Sequence, residues 1–270
     1  MASAQTLLTR PDDGRLDSPL MVALDLQPVR NRLAWALLHA SRLKEQTDAW
    51  AVEALVVDKT LDPSTGSIVH RARVTKDPPV DVALGLSDCL HQARATLDNM
   101  VGVLRGGATS TSGYPIVSTS ATFDAQAVSK LAGVPPWAIA VIRRLQPFAT
   151  NGWRWVGDGL IRLHDLAIED RHRALLLRAG VIDLDEVYVG SSEGASNKFS
   201  ISPDMRTMTL ETSDPNASPH FGATVHVTEP ALRYVDFPFY PAAWEVAMNS
   251  ITAVKAVIDA IEQAAVTQHT

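Results

Sequence analysis

The sequence predicts an α+β fold, with amphipathic helices forming a helical core, an N-terminal β-hairpin, and a C-terminal antiparallel sheet plus a terminal helix. Three observations predict it. Apolar residues recur every three or four positions over residues 26–50, 81–104 and 241–261. Two β-branched runs, 52–57 and 68–74, flank a loop carrying Asp62, Pro63 and Gly66. Short β-like runs separated by turn residues then fill residues 174–237.

Residues 1–18 are polar, carry Pro11 and Gly14, and show no periodicity, so a disordered tail is expected there. Residues 19–270 are read as one α+β domain, with a subdomain split near 175 as the alternative. Leu26, Val29, Leu33, Leu37, Ala40 and Leu43 form the stripe of a first helix that ends near Trp50. After the hairpin, Pro78-Pro79 opens a second helix, closed by Gly106-Gly107. Its stripe is Leu86, Leu90, Ala93, Leu97, Val101 and Leu104. Short helices are expected over 124–131 and 136–146, the latter begun by Pro135-Pro136 and stopped by Pro147. Another helix is expected over 156–173. Strands are expected at 174–181, 186–189, 198–201, 205–210, 223–227 and 232–237. A last helix carries Trp244, Ala247, Ile251, Val254, Ile258 and Ile261 on one face.

Hydrophobic residues make up 46% of the 270 and charged residues 20%, the composition of a chain with a real core. No apolar run reaches the roughly 18 residues of a membrane span, and the N-terminus has no signal-peptide pattern. A cytoplasmic protein with no membrane partner is expected. Cys89, the one cysteine, falls among apolar residues at helical spacing and reads as a small buried hydrophobe. The net charge of −6 argues against broad capture of nucleic acid. The segment Arg143–Arg178 is the exception, with seven arginines against four acids and with Trp153 and Trp155 inside it. Arginine beside exposed aromatics can grip phosphate and stack bases, so RNA is a partner to test there.

Short motifs carry little. Gly190-Ser191-Ser192-Glu193-Gly194 has the spacing of a nucleophile elbow, but Ala195–Phe199 reads as turn and strand rather than the required helix. Ser41-Arg42-Leu43-Lys44 lies inside the first helix without companion motifs. Neither a metal site nor a cofactor has sequence support.

Two helices hold the informative polar residues. In the helix at 156–173, Asp170 falls in the middle of the apolar side formed by Leu160, Leu163, Leu166 and Ala167, with Arg173 at its edge. A carboxylate there needs a partner. Asp165, Glu169 and His172 share the opposite side, either as an acid/base cluster or as a solvated face of i,i+3 and i,i+4 pairs. In the helix at 81–104, His91, Arg94 and Asp98 form a polar stripe beside the leucines. Arg94 is placed to cross to a neighbouring helix, with Asp170 as its candidate partner.

Gly85–Val101, Tyr114-Pro115-Ile116, Leu145-Gln146-Pro147-Phe148 and Asp170-Arg171-His172-Arg173 follow in this order within residues 80–178. That succession resembles an uncharacterised bacterial protein family whose pattern reads L-R-S-A-L-D-H-L, F-P-I, L-Q-P-Y and D-K-H-R. The helix also resembles the R-x4-H signature of HEPN-type helical domains, some of which are metal-independent ribonucleases acting as dimers. In this chain Asn99 stands where that signature has histidine. What the two resemblances imply is a non-catalytic binding or regulatory module. The alternatives are a HEPN-like or toxin-like ribonuclease, in which His172, Arg94 and Arg173 would be catalytic, and a structural, homo-oligomeric assembly protein. His91, Asp98, Asn99, Asp165, Glu169 and Asp170 complete the candidate polar cluster.

Overall fold

The computed structural model describes residues 24–149, 154–172, 177–183, 197–214, 216–217, 219, 221–227 and 242–268. The side chains of residues 171, 172, 178 and 181–183 lie outside that description. So do the expected tail over 1–18, the strands expected at 186–189 and 232–237, and the Gly190–Gly194 pattern.

The fold is α+β. Helix α1 spans Gln27–Ala54 and leads directly into strand β1, Leu55–Leu61, and β2, Ile68–Val74. Its inward stripe is Val29, Leu33, Ala36, Ala40 and Leu43, while Leu37 points outward at 38% exposure. The substitution of Ala36 for Leu37 follows from geometry. At about 100° per residue, positions 29, 33, 36, 40 and 43 keep one face, and 37 has drifted off it. Helix α2, Val80–Arg105, lies against α1. All six of its predicted core residues are buried. Gly106, at φ +82°, closes it in the left-handed conformation that glycine adopts without penalty. Cys89 on α2 is fully buried in the core, and burial pushes its thiol up to about 12.

Helix α3, Ser120–Lys130, starts at Thr119, whose hydroxyl accepts from the Thr122 amide. Helix α4, Pro136–Arg144, begins with proline at a position whose N–H would be unused. A 3-10 turn at Pro147–Ala149 follows, and then α5, Arg154–His172. The strands β3 (Leu177–Asp183), β4 (Asn197–Ile201), β5 (Thr207–Thr212) and β6 (Phe221–Val227) precede α6, Ala243–Thr267. Helix α6 is the central element. It packs against α5, α2, α1 and α4, and from Val246 to Ile261 its inward residues are fully buried or nearly so.

The N-terminal hairpin and the C-terminal strands join in one sheet. Its order is β1-β2-β5-β4, with β2 and β5 antiparallel from Ile68↔Thr212 to Arg73↔Thr207. Strands β3 and β6 form a separate antiparallel pair that packs near β2 and β5. On the inward face of the larger sheet, Ala72, Val74, Met208 and Leu210 are buried, and His70 is buried with them at 5% exposure. Its Nε2 has no hydrogen-bond partner. Burial, reinforced by Lys59 on the adjacent strand, holds the imidazole below its ordinary value of 6.5. A depressed histidine contributes stability that is complete above its unfolded pKa. That stability is lost as pH falls from there through the folded pKa. Urea denaturation should therefore show a loss that sets in as pH falls through the ordinary histidine value of 6.5 and that shrinks in His70→Leu. An equal loss in both proteins would remove His70 from the account.

Candidate functional site

The polar stripe of α2 runs Ser87, His91, Arg94, Asp98, each three or four residues from the last and so on one side of the helix. Helix α5 meets that stripe at one end only. Asp170, with 13% of its side chain exposed, accepts from Ser87 Oγ at 2.6 Å and lies 3.1 Å from His91 Nε2. The expected Arg94–Asp170 pair does not form. A helical wheel gives angles but not the height at which two helices cross, and Asp170 meets α2 a turn before Arg94. Its partners are therefore Ser87 and His91.

Arg94 turns the other way and works as a clamp. Its Nη2 donates to the Tyr114 carbonyl at 2.6 Å and lies 3.2 Å from Asp98 Oδ1. Asp98 Oδ1 also accepts from the Tyr114 amide at 2.8 Å. One turn of α2 therefore holds both backbone groups of Tyr114. A Cβ on Gly113 would lie 3.2 Å from Asp98 Oδ1, so a side chain there would crowd the carboxylate. The Tyr114 ring is fully buried, and burial drives its hydroxyl pKa upward against the opposing influence of Arg94 and Gln146. Gln146, also fully buried, accepts from the Val117 amide at 3.1 Å and donates to the Ile142 carbonyl at 3.2 Å. The Tyr-Pro-Ile and Leu-Gln-Pro motifs thus hold each other in place across the core. Lys130 is half-buried beside this clamp, its pKa lowered by burial and by Arg94 and partly restored by Asp98. Asn99 is exposed on α2.

On the outer side of α5, Asp165 is partly buried, and that burial raises its carboxyl above the ordinary carboxylate range. Glu169 is half-buried nearby on the same helix. The His172 side chain and the whole of Arg173 lie outside the described residues.

The arginine-rich segment divides by role. Arg143 bonds Asp124 and Ser120 and stacks over Phe123 and Phe148 at 5.3 and 5.8 Å, fastening α3 to α4. Arg144 and Arg154 are exposed. Arg144 lines a groove of about 560 Å³ between α4, the start of α5, and α6. Trp155, 51% exposed, stands in the same groove. Helix α6 supplies Lys255 and Asp259, which pair at 2.6 Å, and the floor residues Ala256 and Ala260. Arg30 of α1 also bonds Asp259, as well as Glu262. The groove continues along α6 as a depression of about 360 Å³ reaching Ala264 and Thr267, with Arg144 shared by both parts. The contribution of α6 was invisible in sequence, because more than 100 residues separate Arg144 from Lys255.

A third concavity, about 650 Å³, lies between the end of α1, β6 and the first turn of α6. Among the described residues, no three His, Cys, Asp or Glu side chains gather in a way that could hold a metal ion, and no helix is long and apolar enough to cross a membrane. Set against known proteins, the chain matches no family model, no curated protein and no solved structure, so its function must be argued from this geometry.

Proposed function

We propose that the protein is a non-catalytic binding module that takes single-stranded RNA along the groove between α4, α5 and α6. The observation that carries the non-catalytic part is the clamp. Arg94, the arginine of the R-x4-H resemblance, and Asp98 beside it are both engaged in holding the Tyr114 backbone. An arginine bound to a backbone carbonyl and an adjacent carboxylate is not poised to stabilise phosphate charge. RNA is the partner class because Arg144 and Trp155 stand exposed in one groove. A guanidinium on the backbone and an indole under a base are the contacts that sequence-tolerant single-strand binding uses. The acidic member of the groove, Asp259, already faces Lys255 and Arg30.

A second reading has its own observation. His91 is 43% exposed and is oriented by a carboxylate that is nearly buried. With Nε2 directed at Asp170, Nδ1 is the nitrogen left for a substrate proton, which is the arrangement a general acid or base needs. A ribonuclease built on His91, in place of the expected His172, would use it.

One experiment separates the two. Wild type, His91→Ala and the double variant Arg144→Ala/Trp155→Ala are incubated with a mixed pool of labelled RNAs without added metal. The binding reading expects a mobility shift for wild type and His91→Ala, no cleavage, and an affinity loss of about tenfold or more in the double variant. Cleavage that disappears in His91→Ala would replace it with the nuclease. An unchanged shift in the double variant would move RNA off this groove.

A further inference from the structure

The cleft between α1, β6 and α6 has an unusual wall. Phe221, Gly222, Ala223 and Thr224, four consecutive residues of β6, all line it. Successive side chains of a strand point to opposite faces. A surface touched by residues of both parities is therefore the backbone edge of the strand, not one of its faces. Strand β6 is bonded to β3 along its other edge, from Leu177↔Val227 to Asp183↔Phe221. On the cleft side, His226 makes a single antiparallel bridge with Ala242, just before α6 begins. That edge thus already accepts strand pairing at one end. Beyond the bridge the chain turns into α6, and among the described residues no strand pairs with Phe221–Thr224 on that side.

The opposing wall is apolar at the junction of α1 and β1, where Ala51, Val52 and Leu55 line it, and polar earlier along α1, at Lys44, Thr47 and Asp48. At the α6 end stands Trp244, with the Lys44 ammonium 5.7 Å from its ring. Lys44 is neutralised by Asp48 at 2.6 Å. Glu245, which accepts from the Ala242 amide at 3.2 Å, leaves the cleft with one surplus negative charge. A volume of about 650 Å³ lies within the range of binding sites.

We propose that this cleft binds an extended peptide segment of a partner protein, which adds as a strand to the edge of β6 that faces it and that no described strand occupies. Main-chain hydrogen bonds to β6 supply the affinity, as in other cases of strand addition. Specificity comes from apolar side chains at alternate positions facing Val52, Leu55 and Phe221, with a basic residue toward Glu245 and Trp244. The site is separate from the α4–α6 groove and does not depend on RNA binding there.

The test uses the full chain and a fluorescein-labelled decapeptide of alternating valine and lysine, read by fluorescence polarisation. Two further probes carry N-methyl groups on alternate amides, one on each parity. Strand addition needs the N–H groups of one parity only, so one methylated peptide should bind as the parent does and the other about tenfold or more weaker. Val52→Arg places a bulky cation on the cleft rim at a position that is 84% exposed, where substitutions ordinarily change stability little. It should weaken the parent peptide by a similar factor. Absence of saturable binding up to about 1 mM would overturn the proposal. So would equal effects of the two methylated peptides, or indifference to Val52→Arg.

Discussion

Gly159→Ala should destabilise the protein, although alanine is the better helix former by about 1 kcal/mol. Gly159 lies within α5 where that helix crosses α6. A Cβ there would sit 2.7 Å from the Ala253 Cβ and 3.0 Å from the Asn249 backbone carbonyl. Neither neighbour is the free end of a flexible side chain. The two helices must therefore separate, and every contact along their interface pays in lost packing. Forcing extra atoms into a packed interface costs about 1–3 kcal/mol, which outweighs the gain in helix propensity. Valine at the same site should cost more, from its two additional methyl groups. The added variant Ala253→Gly should recover part of the loss in Gly159→Ala by vacating the nearer contact. Urea denaturation of the three variants beside wild type measures this. An alanine variant as stable as wild type would show that α5 and α6 can shift apart freely.

Arg94→Met should cost about 2–3 kcal/mol, the range for removing a charged donor from partly buried partners. The side chain is 13% exposed and Asp98 is 37% exposed. That places the effect below the 3–5 kcal/mol typical of fully buried pairs. Methionine keeps much of the apolar stem, so the loss reports the guanidinium. The Tyr114 amide, held by Asp98 in the intact clamp, should exchange its hydrogen faster in the variant. A double-mutant cycle locates the coupling. Arg94 and Asp98 should show an interaction energy of about 1 kcal/mol or more, and Arg94 and Asp170 close to none. Coupling between Arg94 and Asp170 would restore the pairing that the wheels suggested. An Arg94→Met variant with wild-type stability would dispose of the clamp.

Both results depend on contacts that sequence reading reached incompletely. The polar stripe His91, Arg94, Asp98 was legible on α2, because helical periodicity fixes which residues share a side. Asp170 was legible as a carboxylate needing a partner. Its actual partners were not, because Ser87 was not singled out and crossing height has no trace in a periodic pattern. Trp155 and the arginines were legible as a local excess. Which arginines remain available was decided by Asp124 and Ser120, which engage Arg143 and leave Arg144 exposed.

By itself the sequence determined the elements: the α+β class, the helices and, Leu37 apart, their buried faces, the hairpin at β1 and β2, and the burial of Cys89. These follow from local periodicity, turn residues and side-chain polarity, which act over a few residues. Only the tertiary structure decided that the hairpin joins the C-terminal strands in one sheet through β2 and β5. It alone turned Arg94 toward Tyr114, and it formed the groove and the cleft that flank α6. Each of those outcomes joins segments far apart in the chain. Strand order, the height of a helix crossing and the shape of a concavity arise from packing between such segments. No single stretch of sequence encodes them.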